Sequence, residues 1–382
     1  MHLFISAGEP SGDLHGSNLI AALKKRYPHA KIVGFGGEKM QAAGADLLYP
    51  LTKLAVMWFL RAILNIFTFM RLAKQAKNYF QEQKPDAVIL IDFPGFHFAL
   101  AKRAHAAGIP VYWFVPPQLW AWAGWRVKKM QKWVKHILCT LPFEPKWYQD
   151  RGVQCSFVGH PYFDELAAQV PDANFVCGEE SKPGRIIALL PGSRMQEVTK
   201  NFASMVRAAE EIHRQHPETR FLVASFNEAQ AEVASKIIFE SKAPIDIHVQ
   251  KTTEIIHLAD ACIAVSGSVG LELMYHQLPT VVVYRLSKLD RRVAGLFMKC
   301  RFISLVNLLA NRELYPEFLV SQDPWQGMAK TILSWLDDPQ KLAQLREDLL
   351  KLKTEVAIPG ACNRAAEFVI EDLYGKQLKA AA

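Results

Sequence analysis

The sequence predicts an α/β protein built from two doubly wound, Rossmann-like domains. Three observations predict this class. Short apolar runs alternate with helix-length segments, the alternation stops at a polar stretch and then restarts, and 382 residues exceed what one hydrophobic core usually supports. We therefore expect a first domain at residues 1–170 and a second at residues 185–354.

The predicted strands fall into two series, separated by a polar stretch from about Pro171 to Gly184. The first series is Leu3 to Ala7, Lys31 to Gly34, Ala87 to Ile91, Val111 to Val115, Ile137 to Thr140 and Phe157 to Gly159. The second series is Ile186 to Leu190, Phe221 to Ser225, Ile245 to Val249, Ala261 to Val265 and Thr280 to Tyr284. Helical patterns from about Pro324 to Tyr374 follow, and by fold analogy the C-terminal helix, about residues 355–382, packs back on the first domain.

Ligands of doubly wound sheets bind beyond the carboxyl ends of the strands. Two such domains in sequence place the expected active site in a cleft between them. The net charge of +8 favours anionic partners, but no recognisable nucleic-acid motif accompanies it, so nucleic acid is not expected. The six cysteines lack metal-type spacing, and the start of the chain lacks a secretion signal, which favours the cytoplasm.

An almost wholly apolar segment runs from Val56 to Met70 and is followed by basic residues. It is too short and too interrupted for a confident bilayer span. An amphipathic helix lying in an anionic membrane interface matches the pattern, and a buried core helix remains the alternative. On the first interpretation the membrane-contacting side chains are Trp58, Phe59, Phe67 and Phe69.

Polar residues follow two predicted strands of the first domain. Gly8 to Asp13 form a small turn that opens a helix, where backbone amides favour anions. Asp92 follows Val88 to Ile91, an address typical of a catalytic base, although an aspartate there also commonly caps a helix. His97 and His160 lie near strand ends. Either could be a structural histidine, and His97 is the rival candidate for the catalytic base.

Six of the nine tryptophans fall between Trp113 and Trp147. The densest part, Pro116 to Trp122, lies on a loop past a strand end. Core packing explains some of these rings, and a sugar face or an acyl chain suits others.

Two loops of the second domain have the composition of a nucleotide-diphosphate site. Leu189 to Arg194 follow a strand, and Arg194 offers a planar charged fork for phosphate oxygens. Val265 to Glu272 form a Gly-Ser turn at another strand end, where backbone amides could hold a diphosphate and Glu272 could accept from ribose hydroxyls.

Taken in order, these blocks resemble the lipid-A-disaccharide synthase family over nearly the whole chain. The matching blocks are Gly8 to Asp13, Leu54 to Met57, Pro85-Asp86 leading to Ile91-Asp92, Trp120 to Trp122, Leu141 to Glu144, Val158 to Pro161, Leu189 to Arg194, Ser266 to Ser268 with Glu272, and Val306 to Leu309. The resemblance implies a GT-B-type, metal-independent, inverting glycosyltransferase without a cofactor, peripheral on the cytoplasmic face of the inner membrane of a Gram-negative bacterium.

The resemblance also implies substrates and residue roles. UDP-2,3-diacylglucosamine is the donor and 2,3-diacylglucosamine 1-phosphate is the acceptor, and the products are a β-1,6-linked disaccharide 1-phosphate and UDP. Asp92 is the implied general base. The implied first-domain side of the cleft comprises Glu9, Ser11 and Asp13, and the further candidates for the acceptor side are Gly12, His97, Trp120 and Trp122. The implied donor side comprises Gly192, Ser193, Arg194, Ser266, Gly267, Ser268, Glu272 and Asn307. The oligomeric state, including a homodimer, is left open.

The chain departs from the family pattern at Trp58, Arg61, Gly95, His97 and Gly270. These departures concern the acceptor and membrane side more than the nucleotide side. Three rival functions remain. A UDP-N-acetylglucosamine 2-epimerase would not need the apolar segment, an oxidoreductase would rest on the weak glycine pattern Gly34 to Gly37, and a non-catalytic membrane-binding relative could retain both Asp92 and Arg194.

Overall fold

The computed structural model describes residues 1–55, 66–285, 301–320 and 322–381 of the chain. The chain divides into two compact units. The first unit comprises Met1–Glu165 and Ile358–Ala382, and the second comprises Leu166–Ala357. The last helix therefore belongs to the first unit, although it follows the second unit in sequence.

The first unit contains a parallel sheet that has seven strands among the described residues, in the order β3-β2-β1-β4-β5-β6-β7. The strands are β1 His2–Ala7, β2 Lys31–Phe35, β3 Asp46–Tyr49, β4 Ala87–Ile91, β5 Val111–Phe114, β6 His136–Cys139 and β7 Cys155–Phe157. The central strands β1 and β4 are buried almost throughout, which explains their continuous apolar sequence. The strand order reverses between β1 and β4, and ligands of such sheets bind beside this switch point.

Helices of the first unit cover both faces of this sheet. They are α1 Pro10–Arg26, α2 Glu38–Ala42, α3 Thr52–Ala55, α4 Ile66–Gln83, α5 Pro94–Ala106, α6 Val127–Trp133, α7 Glu144–Gln149, and α8 Tyr162–Ala168, which ends just past the boundary of the unit. The C-terminal helix Ala361–Ala381 places Ala365 and Ala366, both fully buried, in the same apolar cluster as Leu19 and Leu23 of α1. Small side chains allow these two helices to pack closely.

The second unit contains a parallel sheet with six strands in its described part, in the order β10-β9-β8-β11-β12-β13. The strands are β8 Ile186–Leu190, β9 Arg220–Ser225, β10 Ile245–Val249, β11 Ala261–Val265, β12 Thr280–Arg285 and β13 Glu317–Val320. The helices are α9 Ala173–Glu180, α10 Met195–Gln215, α11 Glu228–Ile238, α12 Thr252–Leu258, α13 Val269–Tyr275, α14 Leu305–Ala310, α15 Trp325–Leu336 and α16 Pro339–Val356. The C-terminal helix is therefore α17. Strand order reverses here between β8 and β11.

The predicted fold class is confirmed, because each unit is a doubly wound parallel α/β layer structure. Sequence reasoning missed β3 and β13, which each lie at one edge of a sheet, and it placed β7 two residues late. Residues of β3 and β13 are only partly buried or exposed. Edge strands of this kind lack the continuous apolar run by which the central strands were recognised.

Candidate active site

Asp92 lies directly after β4, at the switch point of the first sheet. Its backbone has φ of 49°, and Phe93 follows with φ of 45°. Val115, directly after the neighbouring strand β5, has φ of 51°. Non-glycine residues rarely adopt this left-handed region, and a β-branched one least of all. Three such residues at one sheet edge mark a place where the backbone is bent to present particular groups, as is common at active sites.

The carboxyl group of Asp92 is partly withdrawn from water. Burial, followed by the nearby Glu9 carboxylate, raises its pKa to about 6, and the Phe93 N–H and the His15 ring oppose this rise. A carboxyl group with this pKa is mostly ionised at neutral pH and still binds a proton readily. The electrostatics therefore suit a general base.

The turn from Gly8 to Asp13 lies beside Asp92. Gly8 is required there, because an added Cβ would lie 2.3 Å from the Phe93 ring. Gly12 is buried, and an added Cβ would approach Ile91, the residue before Asp92, to 3.8 Å. Glu9 is half-buried and Ser11 is exposed, so both can meet a ligand at this edge.

Asp13 does not face a ligand, contrary to the expected role on the acceptor side. Its buried carboxylate accepts hydrogen bonds from the backbone amides of Gly37 at 2.7 Å, Lys39 at 3.0 Å and Met40 at 3.1 Å. These donors belong to the beginning of α2, where amides lack partners within the helix. Asp13 therefore shapes the site indirectly, by fixing the loop after β2.

His97 is a structural residue, and the expectation that it rivals Asp92 as a base is wrong. Its ring is fully buried, and burial lowers its pKa to about 3. Nδ1 lies 2.8 Å from the Asp92 carbonyl oxygen and must donate, so Nε2 accepts from the Ser6 hydroxyl at 2.9 Å. The neutral ring supports the backbone beneath Asp92.

Sequence reasoning missed His15. Its Nδ1 lies 3.0 Å from a Glu165 carboxylate oxygen, and its ring meets His160 edge-on at 5.9 Å. Burial and the nearby His15 together lower the pKa of His160 to about 3. A usable signal existed, because His15 lies three residues after Gly12 and so shares its helix face.

The two tryptophans of the loop after β5 have different environments. Trp120 is half-buried, donates from Nε1 to Glu144 at 3.1 Å, and meets Phe143 edge-on at 4.8 Å. Trp122 is 45% exposed, with the Arg126 guanidinium 5.3 Å from its ring centre. Trp122 is thus the side chain of this pair that can offer a ring face to a ligand.

In the second unit, the turn after β8 presents Arg194 to solvent. Gly192 has φ of 110°, and an added Cβ would lie 2.4 Å from a Glu197 carboxylate oxygen, so glycine is required. Glu197 accepts from the Arg194 amide at 3.2 Å and from its guanidinium at 3.1 Å. The Arg194 side chain remains 66% exposed, and the buried Gln230 side chain donates from Nε2 to the Ser193 carbonyl at 2.8 Å.

The turn after β11 lies on the other side of the switch point. Gly267 and Ser268 are exposed, and Ser266 is half-buried with its hydroxyl 3.4 Å from the Ile303 carbonyl oxygen. Glu272 is buried and accepts from the Thr253 hydroxyl at 3.2 Å. The loops carrying Arg194 and Ser268 therefore flank the same crevice of this sheet.

Asn307 does not have the capacity for the expected nucleotide contact. Its fully buried amide nitrogen donates to the Tyr315 carbonyl and to Glu317, each at 2.7 Å. Its oxygen accepts from the backbone amides of Leu314 and Tyr315, each at 2.8 Å. Because an amide side chain makes about four hydrogen bonds at most, Asn307 fixes the loop before β13 instead.

The expected membrane segment is described only in part, and Trp58 and Phe59 lie outside the described residues. In α4, Phe67 is 78% exposed, and Met70 lies on the same side of the helix. Phe69 is half-buried instead, with its ring 5.3 Å from that of Phe96. Phe69 therefore packs partly against the core, whereas Phe67 lies exposed on the outer side of the helix.

The matching family model describes a lipid-A-disaccharide synthetase and covers residues 3–371. A lipid-A-disaccharide synthase from Myxococcus xanthus is 34% identical over 97% of both chains. One from Coxiella burnetii is 35% identical over 91% of this chain and 94% of its own length. The chain belongs to the lipid-A-disaccharide synthetase family. It is accordingly a glycosyltransferase enzyme with a role in lipid A disaccharide synthesis.

Solved structures show how widely the fold of this family is shared. MurG from Acinetobacter baumannii has a TM-score of 0.61 at 13% identity, covering 96% of this chain and 98% of its own. A UDP-GlcNAc 2-epimerase from Neisseria meningitidis, bound to UDP-GlcNAc, has a TM-score of 0.62 at 11% identity, covering 98% and 100%. At such identities the likeness concerns the fold alone.

The environment of His97 in this family member predicts a ring that stays neutral. Because burial holds its pKa near 3, its ring signals in a nitrogen-15 NMR spectrum should not move between pH 8 and pH 5. Loss of the signals in His97→Asn would assign them. A His97 signal that titrates within this range would return the residue to the list of acid–base groups.

Proposed function

We propose that the chain transfers 2,3-diacylglucosamine from UDP to the 6-hydroxyl of 2,3-diacylglucosamine 1-phosphate, with inversion, releasing UDP. Family membership supports the type of reaction. The observation that carries the residue-level proposal is Asp92, a carboxylate with a pKa of about 6 at the switch point of the first sheet. Mass spectrometry of the product formed from these two substrates is the direct test.

In the proposed mechanism Asp92 accepts the proton of the acceptor hydroxyl as its oxygen attacks the anomeric carbon of the donor. The bond from that carbon to the UDP oxygen breaks in the same displacement, so the configuration inverts. Ionised Asp92 is the reactive form, and Glu9 helps to make it basic by raising its pKa. The acceptor hydroxyl then never needs to ionise free in solution.

The donor diphosphate is assigned to the second unit. Arg194 supplies a permanent positive charge whose guanidinium is oriented by Glu197 and still open to solvent. The exposed Gly267 and Ser268 add backbone amides on the other side of the crevice. Negative charge develops on the diphosphate as its bond to the sugar breaks, and Arg194 stabilises that charge.

We also propose a cytoplasmic enzyme, peripheral on an anionic inner-membrane surface. On the outer side of α4, the exposed Phe67 and Met70 are followed by the exposed cations Arg71, Lys74 and Lys77. Apolar side chains beside cations are typical of helices that lie in a membrane interface. Within the described residues, no helix is both long and apolar enough to span a bilayer.

Arg194→Ala should weaken UDP binding about 10-fold to 100-fold, because it removes a charge-assisted contact to the diphosphate. Isothermal titration calorimetry measures the change. Arg207→Ala is the matched control, since Arg207 lies on α10, the helix that directly follows Arg194, is 62% exposed and pairs with a carboxylate of Asp323. Equal UDP affinity in the Arg194 variant and the control would remove Arg194 from the nucleotide site.

Asp92→Asn should lower turnover by about 10² to 10⁴, because asparagine cannot take a proton, while UDP affinity stays near wild type. In the wild type, kcat/KM should fall as the pH drops through about 6, since protonated Asp92 is inactive. Helix capping predicts the opposite result, because asparagine caps about as well as aspartate. A variant that keeps most of its turnover would refute the assignment.

Phe67→Glu combined with Met70→Glu should release the protein from vesicles that contain anionic phospholipid, without changing UDP affinity. Carboxylates at these exposed positions oppose both apolar insertion and attraction to the head groups. Vesicle co-sedimentation measures binding. Phe239→Glu is the control, since this 86% exposed phenylalanine lies in the second unit, outside α4. Undiminished sedimentation of the double variant would show that this side of α4 does not dock on membrane.

A further inference from the structure

Glu144 is a buried carboxyl group to which the proposed reaction assigns no role. It is 1% exposed, and it accepts hydrogen bonds from Thr140 N at 2.9 Å, Leu141 N at 3.0 Å and Trp120 Nε1 at 3.1 Å. Among the described residues no ion pair is formed with it, and burial raises its pKa to about 7. Burying a carboxyl group without a paired cation costs free energy, so these hydrogen-bond donors are needed to stabilise Glu144 in its buried position.

The two backbone amides and the indole N–H bond to different carboxylate oxygens, and the Thr140 hydroxyl is a further donor to the carboxyl group. Both backbone amides, from the turn after β6, bond to Oε2, whereas the Trp120 indole bonds to Oε1. One oxygen therefore fixes the turn at the start of α7. The other reaches across to the loop that follows β5.

This loop is held at a second point by the same helix. Tyr148, four residues after Glu144 in α7, donates its hydroxyl to the Pro117 carbonyl at 3.2 Å. The Phe143 ring also meets Trp120 edge-on. The segment from Phe143 to Tyr148 therefore determines where the loop from Val115 to Ala123 lies.

The first residue of this loop is hydrogen-bonded to Asp92. The Asp92 amide donates to the Val115 carbonyl at 3.2 Å, and the Phe114 carbonyl oxygen lies at 3.4 Å. Val115 and Asp92 are also two of the left-handed residues at this sheet edge. A continuous path of contacts therefore runs from Glu144 through the loop to the backbone of Asp92.

We propose that Glu144 is a positioning residue for the acceptor, acting through Trp120 and the loop that Trp120 anchors. Glu144 is too buried to touch a ligand, whereas the loop carries the exposed Trp122 ring at the edge where Asp92 lies. The ligand it serves is an acylated sugar phosphate, whose sugar face or acyl chain meets an aromatic ring. This inference rests on the proposed function of Asp92.

Glu144→Gln separates this role from support of the turn. Glutamine can keep an oxygen toward Thr140 and Leu141, but it then presents an NH₂ group to the Trp120 N–H, so two donors face each other. The turn survives and the bond to Trp120 is lost. Trp120→Phe removes the same bond from the other side while retaining an aromatic ring against Phe143.

Each single variant should raise the KM for the acceptor roughly tenfold, which corresponds to the loss of one such hydrogen bond, with kcat and UDP affinity within about threefold of wild type. The acceptor KM of the double variant should be no higher than that of the single variant with the larger KM, because both substitutions remove the same hydrogen bond. Trp125→Phe is the control for loss of an exposed indole from the same region and should leave the KM unchanged.

A readout independent of activity is the Trp120 indole signal in a nitrogen-15 spectrum, assigned by its loss in Trp120→Phe. Glu144→Gln should shift it. The proposal would be overturned by an unshifted signal or by an unchanged acceptor KM in folded Glu144→Gln. It would also be overturned if the effects of the two variants on KM multiplied, or if acceptor and UDP affinity fell equally. Failure of the proposed function looks different, since wild type would then form no disaccharide or Asp92→Asn would keep its turnover.

Discussion

The withdrawal of the Asp92 carboxyl group from water is the constraint on which the candidate active site depends. A carboxylate at an open strand end would be a weak base, and burial is the largest cause of its raised pKa. Asp92 and Phe93 form a left-handed turn at this strand end, and the Phe93 ring leaves no space for a side chain at Gly8. His97, neutral and buried, bonds to the carbonyl beneath and stabilises the turn.

In the second unit, a sheet edge of the same architecture carries an exposed charged group instead of a buried titratable one. A diphosphate carries its charge with it, so its partner should be charged and accessible before it binds. Arg194 is exposed, and Glu197 restricts its guanidinium without covering it. The required glycine, Gly192, allows Glu197 to approach closely. One sheet edge therefore hides a titratable group to tune its pKa, while the other displays a group whose charge never changes.

Sequence patterns predicted what depends on local chain chemistry. The central strands were found because burial on both faces makes them continuously apolar, and Asp92 was placed because it follows such a strand. The direction of a side chain, and hydrogen-bond partners that are distant in sequence, could not be predicted from these patterns. Asp13 turns to amides 24 to 27 residues away, and Asn307 turns to a loop beyond its own helix. The carboxylate partner of His15, Glu165, is 150 residues distant and could not be predicted from the sequence.

Hydrogen-bonding capacity therefore separates two classes of residue within blocks that look equally functional in sequence. The polar groups of Asp13, His97 and Asn307 form hydrogen bonds within the protein. Buried polar groups that are bonded in this way hold the backbone in one arrangement. Arg194 keeps most of its donor capacity, because its ion pair with Glu197 leaves the side chain largely open to solvent. The family-like blocks of the sequence thus contain two kinds of residue: those that face a ligand, and those that hold the backbone around them in place. By this criterion Glu144 is a positioning residue, since its hydrogen bonds are made with other groups of the protein.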